Sequence, residues 1–167
     1  MTPKELFQEI DAHLLQDESP SQYLRKAAKT EAFAQFPFEL LNRMKHTKQS
    51  PIYHPEGSVW VHTLMVVDEA AKYRGRSGEP RAFMWAAFLH DIGKPPTTRV
   101  RKGKITSYDH DVEGEQLARE FLREFTRDEP FIEEVCGLVR YHMQILYVAK
   151  KAERAQLEEM KRRVDIR

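Results

Sequence analysis

A chain of 167 residues with 41% apolar content is sized for a single domain with its own core, and leaves no room for a second large one. Its 27 Lys and Arg against 26 Asp and Glu exclude a global field that would draw nucleic acid or a membrane surface, although a local basic patch stays open. One cysteine excludes an intramolecular disulfide; with an acidic, amphipathic N-terminus and no apolar run near the roughly 20 residues of a membrane span, the expectation is a soluble, unexported protein of a reducing cytoplasm.

In chain order, Pro3 opens a first helix whose Leu6, Phe7, Ile10 and Leu14 recur at helical spacing, and DESP closes it near Pro20. A second helix is predicted over 21–34, carrying Tyr23, Leu24, Ala27, Ala28 and Phe33, and a short third over 38–45. TKQSPIYHPEG, with two prolines and a glycine, is a loop. From Ser58, VWVHTLMVVDEAAKY reads as a long buried helix ended by RGRSGEP. Residues 81–91 form the next, and because AFMWAAFLH is apolar nearly all round it belongs at the centre. KPPTTRVRKGKITSYD is a basic connector whose prolines turn the chain away and whose Gly103 suggests a short hairpin. Helices over 112–125, 130–147 and 149–163 complete an all-α helical bundle, divided into an N-terminal helical extension over 1–48 packed on a main unit over 49–167. Cys136, Trp60, Trp85 and Met65 read as core residues.

Seven histidines fall on this scaffold. His13 and His46 lie near polar helix ends and read as solvated surface. His62 interrupts the apolar face of a buried helix, His90 and Asp91 end another, His110 precedes a third and His142 lies late in a fourth. A lone histidine of this kind is usually a hydrogen-bonded core residue. Four on separate helices, one beside a carboxylate, are mutually supportive around a divalent cation and costly to bury without one. A metal centre inside the bundle is therefore expected.

The ordered set HPEGSVWVHTLMVVDEAA, LHDIGKPPTT, YDHDVEGEQLA and VRYHMQILYV resembles the HD-domain phosphohydrolase superfamily, and within it the HD domain attached to bacterial CCA-adding tRNA nucleotidyltransferases, over roughly residues 50–148. The resemblance implies that His62, His90 and Asp91 hold a principal metal, that His110 and His142 add ligands for a second, and that Asp91 bridges the two. The cofactor implied is one or two divalent ions, with iron, manganese, cobalt, nickel and zinc all suited to these donors. The same likeness makes Lys94 a partner for a phosphate oxygen, where the plain alternative is a solvated lysine at a helix C-terminus. His54 and Glu56 are placed at the mouth of the site, to orient substrate or pass a proton to the leaving group, with a plain loop role as the alternative. Gly93 is expected to supply a C-terminal turn. Asp111 either holds an imidazole or caps the following helix. Thr97, Arg99 and Arg101, with Lys102 and Lys104 nearby, are candidate contacts for an anionic substrate or simply a solvated charged face.

The resemblance further implies a last aspartate ligand beyond His142; the late candidate Asp165 lies too early for it, so either water takes that place or the chain is a piece of a longer protein. No segment carries the paired carboxylates of a nucleotidyltransferase core, so nucleotide addition is not expected. The reading implied is a metal-dependent phosphatase or phosphodiesterase acting on phosphomonoesters or 2′,3′-cyclic phosphodiesters of nucleotides or RNA ends, with no membrane; no stable protein partner can be inferred. Its rivals are a non-catalytic nucleotide- or RNA-binding module of a larger nucleic-acid-processing protein and, more remotely, a di-iron oxygenase.

Overall fold

Helix α1, Pro3–Gln16, starts at a reciprocal cap: the Thr2 hydroxyl accepts from the Glu5 N–H at 3.2 Å while the Glu5 carboxylate accepts from the Thr2 N–H at 3.0 Å. Its stripe of Leu6, Phe7, Ile10 and Leu14 is buried. Helix α2 is shorter than its periodicity predicts, Ser21–Ala27, because extended Thr30 turns its hydroxyl back to the Ala27 carbonyl at 2.7 Å and satisfies a helix-end acceptor. A 3-10 turn, Glu31–Ala34, follows, then α3, Glu39–Asn42, and a second 3-10 turn, Arg43–His46. The structure, a computed structural model, describes residues 1–49 and 57–141.

Ser58 caps α4, Val59–Ala71, accepting from the Val61 N–H at 3.3 Å. Val59, Trp60, Leu64, Val67 and Ala70 face inward, whereas Met65 falls on the opposite side of the helix and is 54% exposed, so it is not the core residue expected. Helix α5, Pro80–Leu89, is the centre of the molecule: every residue from Met84 to Leu89 has no exposed surface. Its alanines at 82, 86 and 87 let α1, α4 and α8 approach, and its Trp85 stacks on Phe7 at 4.6 Å between ring centres. One carboxylate oxygen of Asp11 accepts from both Trp85 Nε1, at 2.7 Å, and Arg81 Nε, at 2.8 Å, which ties α1 to the central helix.

Beyond α5 comes a single turn, α6, Lys94–Thr97; Pro95 and Pro96 sit in its first turn, where a missing N–H is harmless, so they start a helical turn rather than break one. Strands β1, Thr98–Arg101, and β2, Lys104–Ser107, pair antiparallel with Arg101 opposite Lys104. The two residues between them, Lys102 at φ 51° and Gly103 at φ 76°, give the left-handed pair that a tight hairpin requires. Helix α7, His110–Arg123, begins two residues earlier than expected and packs along α8, Glu129–Arg140, which Asp128 caps through the Phe131 N–H at 3.2 Å. Among the described residues the fold is mostly helical with one two-stranded ribbon, so the all-α description holds only approximately. The predicted helix over 149–163 and the end of the one over 130–147 lie outside the described residues. Among the described residues, no helix is long and apolar enough to cross a membrane.

Candidate metal centre

Helix α5 ends at Leu89 and delivers His90 and Asp91 from the most buried part of the molecule; they are 4% and 0% exposed. The turn closes with the Ile92 N–H donating to the Leu89 carbonyl and the Lys94 N–H to the Asp91 carbonyl, both at 3.0 Å. Around the Asp91 carboxylate the groups divide. Its Oδ2 lies 3.0 Å from His90 Nε2, 3.7 Å from His62 Nε2 and 3.4 Å from Lys94 Nζ, while its Oδ1 lies 3.9 Å from His110 Nε2.

Two of these imidazoles are aimed by backbone. His90 Nδ1 donates to the Ala87 carbonyl at 2.7 Å and His110 Nδ1 to the Ser107 carbonyl at 2.8 Å. A carbonyl only accepts, so each Nδ1 carries the hydrogen, and in the neutral ring Nε2 presents a lone pair toward Asp91. Two electron-rich atoms 3.0 Å apart are favourable neighbours only with positive charge between them, a proton or a metal ion. The donor atoms of His62, His90 and Asp91 all lie within 4.8 Å of one another, a spacing compatible with ligands each roughly 2.1 Å from a shared cation. Donor types and arrangement fit a divalent metal.

Glycine makes this convergence possible. A Cβ on Gly93 would lie 2.1 Å from the His110 carbonyl oxygen and 2.6 Å from the Gly114 nitrogen. Gly93 lies in the turn that follows α5, as expected, but in an ordinary right-handed conformation, φ −80° and ψ −10°, so what requires a glycine there is the close approach of α7. Asp109, at φ 60°, turns the chain so that His110 enters α7. Asp111 neither holds an imidazole nor caps α7: its carboxylate accepts from Arg140 at 2.7 Å and bolts α7 to the end of α8.

Of the other expected residues, Lys94 is 12% exposed at its side chain and donates to Gln49 Oε1 at 2.7 Å as well as facing Asp91. Thr97 donates its hydroxyl to the Gly93 carbonyl at 2.8 Å, and Arg99 donates to the carbonyls of Pro96 and Thr98 at 3.1 and 2.8 Å. Arg101 is exposed on the ribbon. His46 is exposed, and His13 is a part-exposed surface residue paired with Asp17 at 2.7 Å. His54, Glu56, His142 and Asp165 lie outside the described residues. Gln49 escaped the sequence reading, since a glutamine in a polar loop carries no periodicity or motif to mark it.

Fold and site together define a helical domain with a buried histidine-aspartate doublet, joined by further histidines from two other helices. The chain belongs to the HD domain family, whose model matches residues 59–164. It is similar to the multifunctional CCA protein of Alkalilimnicola ehrlichii, 31% identical over 145 residues that make up 86% of this chain and 33% of that protein. The namesake protein of Actinobacillus pleuropneumoniae serotype 5b is 35% identical over 83 residues, 50% of this chain and 20% of its own length. That of Aromatoleum aromaticum is 39% identical over 57 residues, 34% and 13% respectively. The chain thus spans a third or less of the curated relatives it matches. No solved structure matches it.

Proposed function

We propose that the chain is a divalent-metal-dependent phosphohydrolase acting on phosphomonoesters or 2′,3′-cyclic phosphodiesters of nucleotides or RNA ends in the cytoplasm. The observation that carries this reading is a fully buried carboxylate, Asp91, with the Nε2 atoms of three histidines facing it from two sides. His62, His90 and Asp91 would hold one ion, and His110 and His142, with Asp91, would hold a second. When bound, a divalent ion there supplies a Lewis acid and an acidified water as nucleophile. Iron, manganese, cobalt, nickel and zinc all suit this donor set.

The chain's own residues do the rest. Lys94 places an ammonium beside the carboxylate, where it pairs with a phosphate oxygen as charge develops. Apolar α5 closes the floor of the site against water. His54 and Glu56 orient the ester or pass a proton to the leaving group. Thr97, Arg99 and Arg101 extend the site along the ribbon. Arg101 stands directly opposite Lys104, a like-charge pair that disfavours strand pairing, and among the described residues neither these two nor Lys102 meets a carboxylate. An anionic substrate supplies the charge that the ribbon lacks. A second reading, a non-catalytic nucleotide- or RNA-binding module of a larger nucleic-acid-processing protein, draws support from the far greater length of the relatives.

Elemental analysis, followed by hydrolysis of 2′,3′-cyclic nucleotides and nucleoside monophosphates with added Mn²⁺, Co²⁺ or Ni²⁺, tests the proposal. Wild type is expected to carry metal and turn over, and His90→Ala/Asp91→Ala to lose both. Metal without turnover in any condition favours the binding module; no metal in any condition sinks the site.

A further inference from the structure

Gln49 is 8% exposed although it lies in a polar stretch between Lys48 and Ser50. The segment before it is held on two sides: the Thr47 hydroxyl donates to the Arg43 carbonyl at 2.9 Å, and the Thr47 carbonyl accepts from the Val59 N–H at 2.9 Å at the start of α4. Its side-chain oxygen accepts from Lys94 Nζ at 2.7 Å. An ammonium can only donate, so this contact fixes the amide, with oxygen toward Lys94 and nitrogen away. That nitrogen is buried and meets no acceptor among the described residues. Burying an unsatisfied amide donor is unfavourable, and an apolar side chain of similar size would fill the space without that penalty. Packing alone does not account for a glutamine here.

What a glutamine does, and neither a leucine nor a glutamate does, is hold an ammonium without cancelling it. A carboxylate at this position would form an ion pair with Lys94 and neutralise its charge. An apolar residue would release Lys94 to Asp91, whose Oδ2 already lies 3.4 Å away. With Gln49 in place the lysine is drawn from both sides, its charge only partly offset, and one of its three N–H bonds has no partner among the described residues.

We propose that Gln49 is a positioning residue that acts through Lys94: its neutral amide oxygen suspends the ammonium beside Asp91, so that the remaining N–H and the uncancelled charge face the phosphate group of the ester. The inference rests on the phosphohydrolase reading of the site. It also predicts a preference for dianionic phosphate over neutral ligands of the same size.

The test uses Mn²⁺-loaded full chain and inorganic phosphate as probe, reading the phosphate-induced rise in Tm alongside KM and kcat for a phosphomonoester. Gln49→Glu is expected to keep the Tm of wild type without phosphate, to lose most of the phosphate-induced rise, and to raise KM about tenfold with a smaller change in kcat. In a Lys94→Met background, the same substitution is expected to change neither readout further. Should Gln49→Glu fail to fold, Gln49→Leu combined with Lys94→Met completes the same cycle. A wild-type phosphate response in Gln49→Glu, a Gln49 effect undiminished by Lys94→Met, or no phosphate response in wild type overturns the inference. If phosphate binds with the expected coupling but no ester is hydrolysed, the phosphohydrolase reading falls and Gln49 stands as the positioning residue of an anion site.

Discussion

The end of α5 and the β1–β2 ribbon both carry charge, and they treat it in opposite ways. At the end of α5, Asp91 is fully buried, with His62, His90 and Lys94 facing its carboxylate and the His90 ring held by a backbone carbonyl. On the ribbon, Arg101, Lys102 and Lys104 stand exposed, without a carboxylate among the described residues and with two cations directly opposed. The first arrangement suits a small ion enclosed by the protein; the second suits an anion arriving from outside. The two regions thus differ in the depth at which charge is held, buried at the end of α5 and exposed on the ribbon.

The comparison breaks most completely at Gly93, which lets the buried half assemble. Gly93→Ala puts a methyl group into the His110 carbonyl and the α7 backbone, neither of which is a flexible side-chain end. A loss of about 2–4 kcal/mol in denaturant unfolding is expected, with weakened metal binding by chelator competition. A wild-type midpoint would show that α7 is not packed against the loop as described.

The exposed half sharpens under the opposite result. Arg101→Gln/Lys104→Gln removes the like-charge pair, so stability should hold or rise by about 0.2–1 kcal/mol, while KM for an RNA-end phosphate rises and its dependence on salt flattens. Stability falling together with activity would instead make the ribbon structural. The smallest effect expected is at Cys136, whose thiol burial pushes up to about 11 from 9.0. Native protein should resist iodoacetamide at pH 8, where unfolded protein reacts. Because the folded thiol holds its proton more tightly, its contribution to stability is complete below pH 9 and declines as pH rises toward 11. Rapid native alkylation would show that the α8 side of the core admits water.

Much of this was legible from residue order. Apolar periodicity places α1, α4 and α5, and the doublet at the end of an all-apolar helix announces a buried site, because a helix with no polar face has nowhere else to put it. Tertiary partners were less legible. Met65 looks like core because α4 is apolar around most of its circumference, and only its neighbours decide which side faces water. Asp111 finds Arg140, 29 residues away, and no local pattern announces that bond. Thr30 ends α2 through one hydroxyl, a competition that periodicity does not register. Gln49 is the same case inside the site.

The two rings whose Nδ1 bonds were described share one device: each donates to the carbonyl three residues before it in its own chain segment, Ala87 for His90 and Ser107 for His110. Their orientation is therefore a property of two short peptides, present wherever those turns form. Docking α7 against the end of α5 has only to set how far apart two already aimed donors stand. The spacing of these two rings then follows from the close approach at Gly93, whereas His62 is brought in separately by α4.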